Sequence, residues 1–464
     1  MLPTKIVVIG AGSASFGLNT VAALMGSRRL RGSHIALVDR NAETLRLMTR
    51  LAERLNREWD AAMKITSHTH HADALQDAAF VISAIEVGPR EGLWRQDYEI
   101  TLKYGVRQPY AENGGPGGFA HAARNIGPVM EIVRTMEAAC PDAWFINYTN
   151  PMMRICDAIA RYSRIKVVGL CHQIYAGYGM VGYVLADELG IEVPEGEIST
   201  HADPDIWPRL GILAHQAVQK IDIQAAGLNH FTWMLDLRLK ETGEDLYPLF
   251  RERWAAFDPA FEPLTRRVFD AFGLFPIPGD EHLCEYLPWL GDPQTRPWEK
   301  YKISLYDWER MDKMRGLGYD WIAAMADGRE SVECLRNSDS EGALEMVENT
   351  AGAGRHFHLA VNLPNRGQIT NLPAGAIVET PGWVSGAGIQ GVCVGTLPEG
   401  VAELCRREIA AVQLCVDAAV HGDRQAALQC LLLSPCVTDL DVARQILDDY
   451  LETYREHLPQ FFGE

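Results

Sequence analysis

Short β-branched runs recur through the first 170 residues, each too short for a helix and each followed by a stretch of helical character. Residues 4–12 carry the first, Lys5-Ile6-Val7-Val8-Ile9, into Gly10; the second, His34-Ile35-Ala36-Leu37-Val38, ends on Asp39. Others fall at about 64–68, at Phe80-Val81-Ile82-Ser83-Ala84-Ile85, at Trp144-Phe145-Ile146-Asn147 and at Lys166-Val167-Val168-Gly169. Helices are expected at about 17–27, 42–58, 119–138 and 151–161. Apolar runs of this length, without polar alternation, suit parallel strands covered on both faces. The alternation of strand and helix predicts a six-stranded, doubly wound sheet, an α/β fold of the Rossmann type. In such sheets ligands gather outside the carboxyl ends of the strands, and the last strand ends there on Cys171-His172.

After residue 190 the pattern changes while the composition stays globular. Two β-rich stretches, Ile221 to Leu228 and Phe231 to Leu239, flank Asn229-His230. Residues 273–291 read as a loop with a brief helix, His358 to Leu363 as a strand leading to Asn365-Arg366-Gly367, and the chain from about 397 onward as amphipathic helices. This divides the chain into a nucleotide-binding half, 1–195, and a mixed α+β half, 196–464, with the active site expected where they meet. Arg90-Glu91-Gly92-Leu93-Trp94-Arg95-Gln96-Asp97 and Glu112-Asn113-Gly114-Gly115-Pro116-Gly117-Gly118 are expected as loops over the strand ends, since four glycines and a proline argue against regular structure.

Composition narrows the function classes. At 464 residues the chain exceeds one ordinary core. A formal charge of −18 provides no electrostatic footprint for nucleic acid or anionic membranes. No apolar run is long enough to span a bilayer, and the N-terminus lacks a basic, cleavable leader. Ten cysteines without a C-x-x-C pair read as free thiols in a reducing compartment, so a cytoplasmic location is expected.

The first strand enters Gly10-Ala11-Gly12-Ser13-Ala14-Ser15, most of a dinucleotide fingerprint. The first glycine makes the turn and the second admits a pyrophosphate; Ser15 holds the third position, with Gly17 close by. Gly10, Gly12 and Ser13 are the candidate cofactor contacts. Asp39 ends the second strand, where an acid accepts from the adenosine ribose hydroxyls and favours NAD over NADP. The bland alternative for Asp39 is a helix cap. Asn147 and Asn150 flank a strand-to-helix transition; they read either as amide contacts to the nicotinamide ribose or a sugar, or, for Asn150, as the cap of a helix with Pro151 at its first position. Cys171 and His230 lie 59 residues apart, a spacing without motif value. Each alone is more often a core residue than a ligand.

Seven features occur in order: the glycine-serine turn, Arg95 in Trp-Arg-Gln-Asp, the Glu112 loop with Gly-Pro-Gly-Gly, Asn-Tyr-Thr-Asn-Pro-Met at 147–152, Cys171-His172, Asn229-His230, and Val361-Asn362-Leu363-Pro364-Asn365. Together they resemble glycoside hydrolase family 4, the NAD-dependent glycosidases that depart from two-carboxylate chemistry. The resemblance implies a fold like that of the lactate and malate dehydrogenases. It also implies an elimination-addition route: NAD⁺ takes hydride from sugar C3, a base removes the C2 proton, the C1–O bond breaks, water adds, and the hydride returns. It points to Mn²⁺ held by Cys171 and His230, although thiolate softness alone suggests Zn²⁺. Asp280 is the implied base, with Tyr286 and Glu285 in reserve. Glu112, Arg95, Asn150 and His172 are implied sugar contacts, Glu112 or His172 assisting the leaving group. Members acting on 6-phosphorylated sugars resemble Cys-Asn-x-Pro or Cys-Asp-Met-Pro here. Cys171-His172-Gln173-Ile174 is closer to the Cys-His form of members using unphosphorylated α-glucosides, α-galactosides or uronides, and the family is usually dimeric or tetrameric. A redox dehydrogenase of the same fold, or a non-catalytic NAD(H) sensor, are the competing readings.

Overall fold

The computed structural model describes residues 3–463 apart from Ser15, Pro109, Pro293 and Ala353. Six parallel strands open the fold: β1 (Lys5–Ile9), β2 (His34–Val38), β3 (Lys64–His68), β4 (Phe80–Ser83), β5 (Trp144–Asn147) and β6 (Lys166–Gly169), in the order β3-β2-β1-β4-β5-β6. Each falls where the apolar runs predict. Successive side chains enter opposite layers: Val7, Ile9, Val81 and Phe145 join one apolar cluster, and Ile6, Val8, Ile82 and Ile146 the other. That two-sided burial is why the runs lack polar alternation. The register aligns Ile9 with Val38 and Ser83, Ser83 with Asn147, and Asn147 with Gly169. The carboxyl ends therefore form one level row, and whatever follows each strand faces the same crevice.

The second half extends this sheet rather than building another. The strand β10 (Arg355–Pro364) lies antiparallel to β6, with Asn362 opposite Gly169. Beyond it come β11 (Ile377–Ser385), β7 (Ile221–Leu228), β8 (Phe231–Leu239) and β9 (Phe275–Pro276), with β12 (Gly388–Gly391) on β11. Without β10, β6 would be an exposed edge. The helices at Glu399–His421 and Met152–Tyr162 pack on the same face as the Gly115–Ala139 helix. Among the described residues no helix is long and apolar enough to cross a membrane.

Two stretches expected as loops are helical. Residues Arg90–Leu102 form a helix, and Gly115-Pro116-Gly117-Gly118 is the first turn of Gly115–Ala139. Proline belongs in a first turn, where its missing N–H costs nothing. The glycines answer to packing: a Cβ on Gly117 would lie 2.6 Å from the Ala111 carbonyl oxygen, and one on Gly118 2.3 Å from that of Asn113. A fully buried bidentate pair, Arg124 to Asp97 at 2.7 Å twice, locks the two helices together. At the next transition Pro151 occupies the N-cap of Met152–Tyr162, which leaves Asn150 one residue outside the helix and not its cap. Alanine at 118 improves helix propensity but meets backbone that cannot retreat. Gly118→Ala is therefore expected to destabilise the protein by about 1–3 kcal/mol in denaturant titration.

Candidate active site

At the β1 end, Gly10 has φ +80° and a Cβ there would lie 2.3 Å from the Ala84 carbonyl oxygen. Only glycine fits this turn. The Gly12 N–H donates to Asp39 Oδ2 at 2.9 Å and the Asn41 N–H to Oδ1 at 2.8 Å, while the Ser13 N–H bonds Gly10 O at 3.0 Å. The Ala42–Glu58 helix is capped by Asn41, not by Asp39, so the acid belongs to the turn. Gly17 plays the packing part of a third glycine, since a Cβ on it would meet Ala11 O at 2.4 Å. Ser15, the fingerprint's nominal third position, lies outside the described residues. The cradle that Cβ atoms would fill, closed by an acid at the end of β2, fits a dinucleotide. Asn147, expected as a ribose or sugar contact, spends its amide internally: it donates to Thr149 O at 2.9 Å and accepts from Thr149 N–H at 3.2 Å. It shapes the turn instead.

Along the same row Cys171 follows β6, and its Sγ lies 3.2 Å from His230 Nε2. His230 sits in the tight turn between β7 and β8. Buried Glu379 on β11 accepts from Asn229 and Asn362 Nδ2, each at 2.7 Å, tying the β7 end to β10 beside β6. Burial pushes the Cys171 thiol well up and the His230 imidazole well down, the latter helped by His282 and His172. Two neutral soft-to-borderline donors at this distance suit one divalent cation, whose charge would hold the thiolate. Among the described residues no cluster of three or more His, Cys, Asp or Glu side chains could hold a metal by itself. The pair leaves coordination positions for substrate oxygens and water.

The 273–291 segment supplies a different residue from the one expected. Asp280 accepts the Leu264 and Thr265 N–H groups at 2.9 and 2.7 Å, the free N-terminus of the Pro263–Phe272 helix. Both its oxygens are engaged, and burial beside Glu262 drives its pKa up. His282, two residues on and so on the opposite face of the Gly279–Leu283 helix, stacks on His230 with centroids 4.3 Å apart. The two reserves are structural as well. Glu285 Oε2 accepts three backbone N–H groups, from Glu112, Asn113 and Gly114 at 2.9, 2.7 and 3.0 Å, and its Oε1 lies 3.0 Å from His282 Nδ1. Tyr286 stacks on Phe231 at 5.0 Å in the core.

Glu112 lies on the crevice as expected, 5% exposed, with Arg90 at 2.5 Å and Asn150 Nδ2 at 3.5 Å. The Asn150 Oδ1 is buried without a partner, an acceptor a sugar hydroxyl would satisfy. Arg95 points outward and pairs with Glu99 and Glu309 at 2.8 and 2.9 Å, so it does not reach this group. Arg90, five positions earlier and on another helical face, takes its place among Glu112, Glu86 and Tyr306. His172 pairs with Glu341 at 2.7 Å against the Trp207 ring at 5.5 Å. Arg90, His282 and Glu341 went unread: no local pattern marks them, though the helical spacing of Arg90 and Arg95 separates their faces.

Behind Arg90, His121 Nε2 lies 2.9 Å from Glu86. Burial opposes both charges, but each outweighs it for the other: Glu86 is held at about 2, helped by Arg90 and Asn125, and His121 is held above its ordinary value. The Glu86 share is present above about pH 4.5 and lost as pH falls through 2; the His121 share is complete below about pH 6.5 and lost as pH rises through its raised value. His121→Gln should therefore destabilise most between about pH 4.5 and 6.5, with a penalty that shrinks at higher pH in a series of denaturation midpoints.

The sequence profile described as family 4 glycosyl hydrolase matches residues 5–185, and that of the family 4 glycosyl hydrolase C-terminal domain matches residues 225–437. The chain is 29% identical to an alpha-glucosidase of Erwinia rhapontici, over 96% of this chain and 98% of that one. It is 30% identical to an alpha-galacturonidase of Thermoanaerobacterium saccharolyticum, over 83% of this chain and 81% of that one. Among solved structures it resembles the glucosidase lplD of Bacillus subtilis, with a TM-score of 0.82 and 26% identity over 97% of this chain and 100% of that one. It shares its fold with a 6-phospho-beta glucosidase of Thermotoga maritima solved with manganese, NAD⁺ and glucose-6-phosphate, with a TM-score of 0.77 and 22% identity over 98% and 99% of the two chains. The two profiles take in most of the chain, the glycine turn and Cys171 in one and His230 and the His282 segment in the other, and the chain belongs to the family 4 glycosyl hydrolases.

Proposed function

We propose that this protein hydrolyses unphosphorylated, α-linked glycosides with NAD⁺ and a divalent ion, Mn²⁺ by analogy with its structural relatives. The observation that carries the reading is the Cys171–His230 pair, 3.2 Å apart, on the same row of strand ends as the Gly10–Asp39 turn. Bound there, NAD⁺ would supply reversible hydride uptake and the divalent ion Lewis acidity at sugar oxygens. The protein's own part is to hold the sugar and move protons. Cys171 and His230 hold the cation, and Gly10, Gly12, Ser13 and Asp39 the cofactor. Glu112, oriented by Arg90, and Asn150 contact sugar hydroxyls. His172, held by Glu341, assists the leaving group. The role of base for the C2 proton is reassigned from Asp280 to His282: against burial, Glu285 holds its Nδ1 and raises its pKa to about 9, so His282 takes the proton on Nε2 in its neutral form, which gains population as pH rises towards that value.

An unphosphorylated glycone is supported by charge. The permanent cation on the crevice, Arg90, is already matched by Glu112 and Glu86, which leaves little for a phosphate dianion. The relatives named alpha-glucosidase, alpha-galactosidase and alpha-galacturonidase cover the same three sugar classes as the Cys-His form. Residues 1–195 would bind cofactor and also reach the sugar through Glu112, Asn150 and His172, and 196–464 would complete the substrate side with His230 and His282. We also place the enzyme in the cytoplasm, as a homodimer or homotetramer; exposed Phe357 and Trp383, 43% and 39% accessible with rings 5.1 Å apart, offer an apolar contact for a second copy.

Release of nitrophenol from α-glycosides should require NAD⁺ only in catalytic amount, accumulate no NADH, and stop on chelation until Mn²⁺ is returned. Net NADH formation would identify a dehydrogenase, and faster turnover of 6-phospho-glycosides would overturn the glycone assignment. Cys171→Ser and His230→Ala should each lower kcat by at least about 100-fold with loss of Mn²⁺ binding. His282→Asn should lower kcat and enlarge the rate difference on deuteration at sugar C2, as expected when the base of that step is removed. An unchanged isotope effect would assign His282 to packing.

A further inference from the structure

The Trp308–Ala326 helix touches the nucleotide turn through Tyr319, and its attachments differ along its length. At its start Trp308 and the preceding Tyr306 pack on Trp94, with centroids 6.1 and 4.2 Å away. At its end Ile322 and Met325 are fully buried, and Arg54 donates to the Met325 and Glu330 carbonyls. Between these anchors no side chain is buried. The first turn adds pairs open to water, Glu309 to Arg95 at 2.9 Å and Arg310 to Asp203 at 2.7 Å and to Asp205, which contribute little each. The middle section is held by one two-pronged pair, Arg315 to the buried Glu91. One further bond reaches inward: the Tyr319 hydroxyl donates to the carbonyl of Gly12 at 3.0 Å.

Above that turn the helix carries Gly316 and Gly318. Glycine is the poorest helix former after proline. Among the described residues packing does not demand it here: a Cβ on Gly316 would meet none of them within 4 Å, and one on Gly318 only the Ala14 Cβ at 3.9 Å. Met314 and Leu317, 43% and 52% exposed, face water on the outer side. A helix anchored at both ends by packing, held between by one ion pair and one hydroxyl, and softened by two glycines beside them is a segment that opens locally.

We propose that this helix is a strap over the dinucleotide: Tyr319 latches it on Gly12, and it lifts at Gly316-Gly318 to let the cofactor exchange. The proposal rests on the reading of the Gly10–Asp39 turn as a dinucleotide site. It has a chemical rationale. A glycosidase that returns its hydride regenerates the cofactor in every turnover, so slow exchange costs no rate, whereas a dehydrogenase must release its cofactor each cycle.

The test follows bound NADH fluorescence in the full-length protein after mixing with excess NAD⁺. Tyr319→Phe should release NADH about two- to tenfold faster, as loss of one hydrogen bond predicts. Gly316→Ala should slow association and release together while leaving the Kd nearly unchanged. Amide exchange over 309–319 should be fast in the free protein and slowed by NAD⁺. Wild-type exchange rates in both variants would overturn the strap while leaving the cofactor site standing. Absence of any NADH binding by the wild type would remove both.

Discussion

The carboxylate of Glu285 is the constraint on which the site depends. It is a buried anion, and its Oε2 takes three consecutive backbone N–H groups at the start of the Gly115–Ala139 helix, donors that would otherwise be orphaned in the interior. Its other oxygen fixes His282, which lies face to face with His230 at the cation pair. One side chain thus sets the position of Glu112 from one half of the chain and of His282 from the other. Without it the loop at 112–114 would lose the acceptor that, among the described residues, meets its three N–H groups, each costly to leave unmet.

Around this anchor the crevice is electrostatically paired. Glu86 faces His121, Glu112 faces Arg90, Glu285 faces His282 and Glu341 faces His172. Each charge is matched before any ligand arrives, which is how so many ionisable groups tolerate burial. Cys171 and His230 are the exception. Burial keeps both neutral, and the thiol loses its proton readily only to a cation. The place prepared for an extra positive charge is therefore local and narrow, and it lies where sugar oxygens can complete the coordination.

What could be read from residues alone was what local chemistry determines. The six parallel strands announce themselves because both-sided burial forces β-branched runs, and Asp39 is legible because strand, turn and acid are contiguous. The Gly-Pro-Gly-Gly stretch misleads for the opposite reason. Its glycines are there for the Asn113 carbonyl and its helix is capped by Glu285, 170 residues away, so composition reads loop where tertiary contact makes helix. Asp280 misleads through parity: on a short helix the acid and His282 face opposite ways, and only the Leu264 and Thr265 amides reveal which one is spent. The approach of Cys171 to His230 is likewise invisible in a spacing of 59, because it depends on β10 and β11 entering the sheet between them.

That insertion also decides which parts of the molecule can move. In many two-domain enzymes the site lies between bodies joined by a hinge, and closure assembles it. Here the strand row that ends at the cofactor turn continues by hydrogen bonding through β6, β10, β11 and β7 to His230. The separation between the cofactor turn and the cation pair is then a matter of sheet register, which cannot slip without turning buried faces outward. A reaction that needs two groups held at a fixed separation gains from such rigidity. Motion for ligand entry has to be found elsewhere, in segments attached by surface contacts rather than by the ladder. The helix over Gly12 is built in that way, and the sheet beneath it is not.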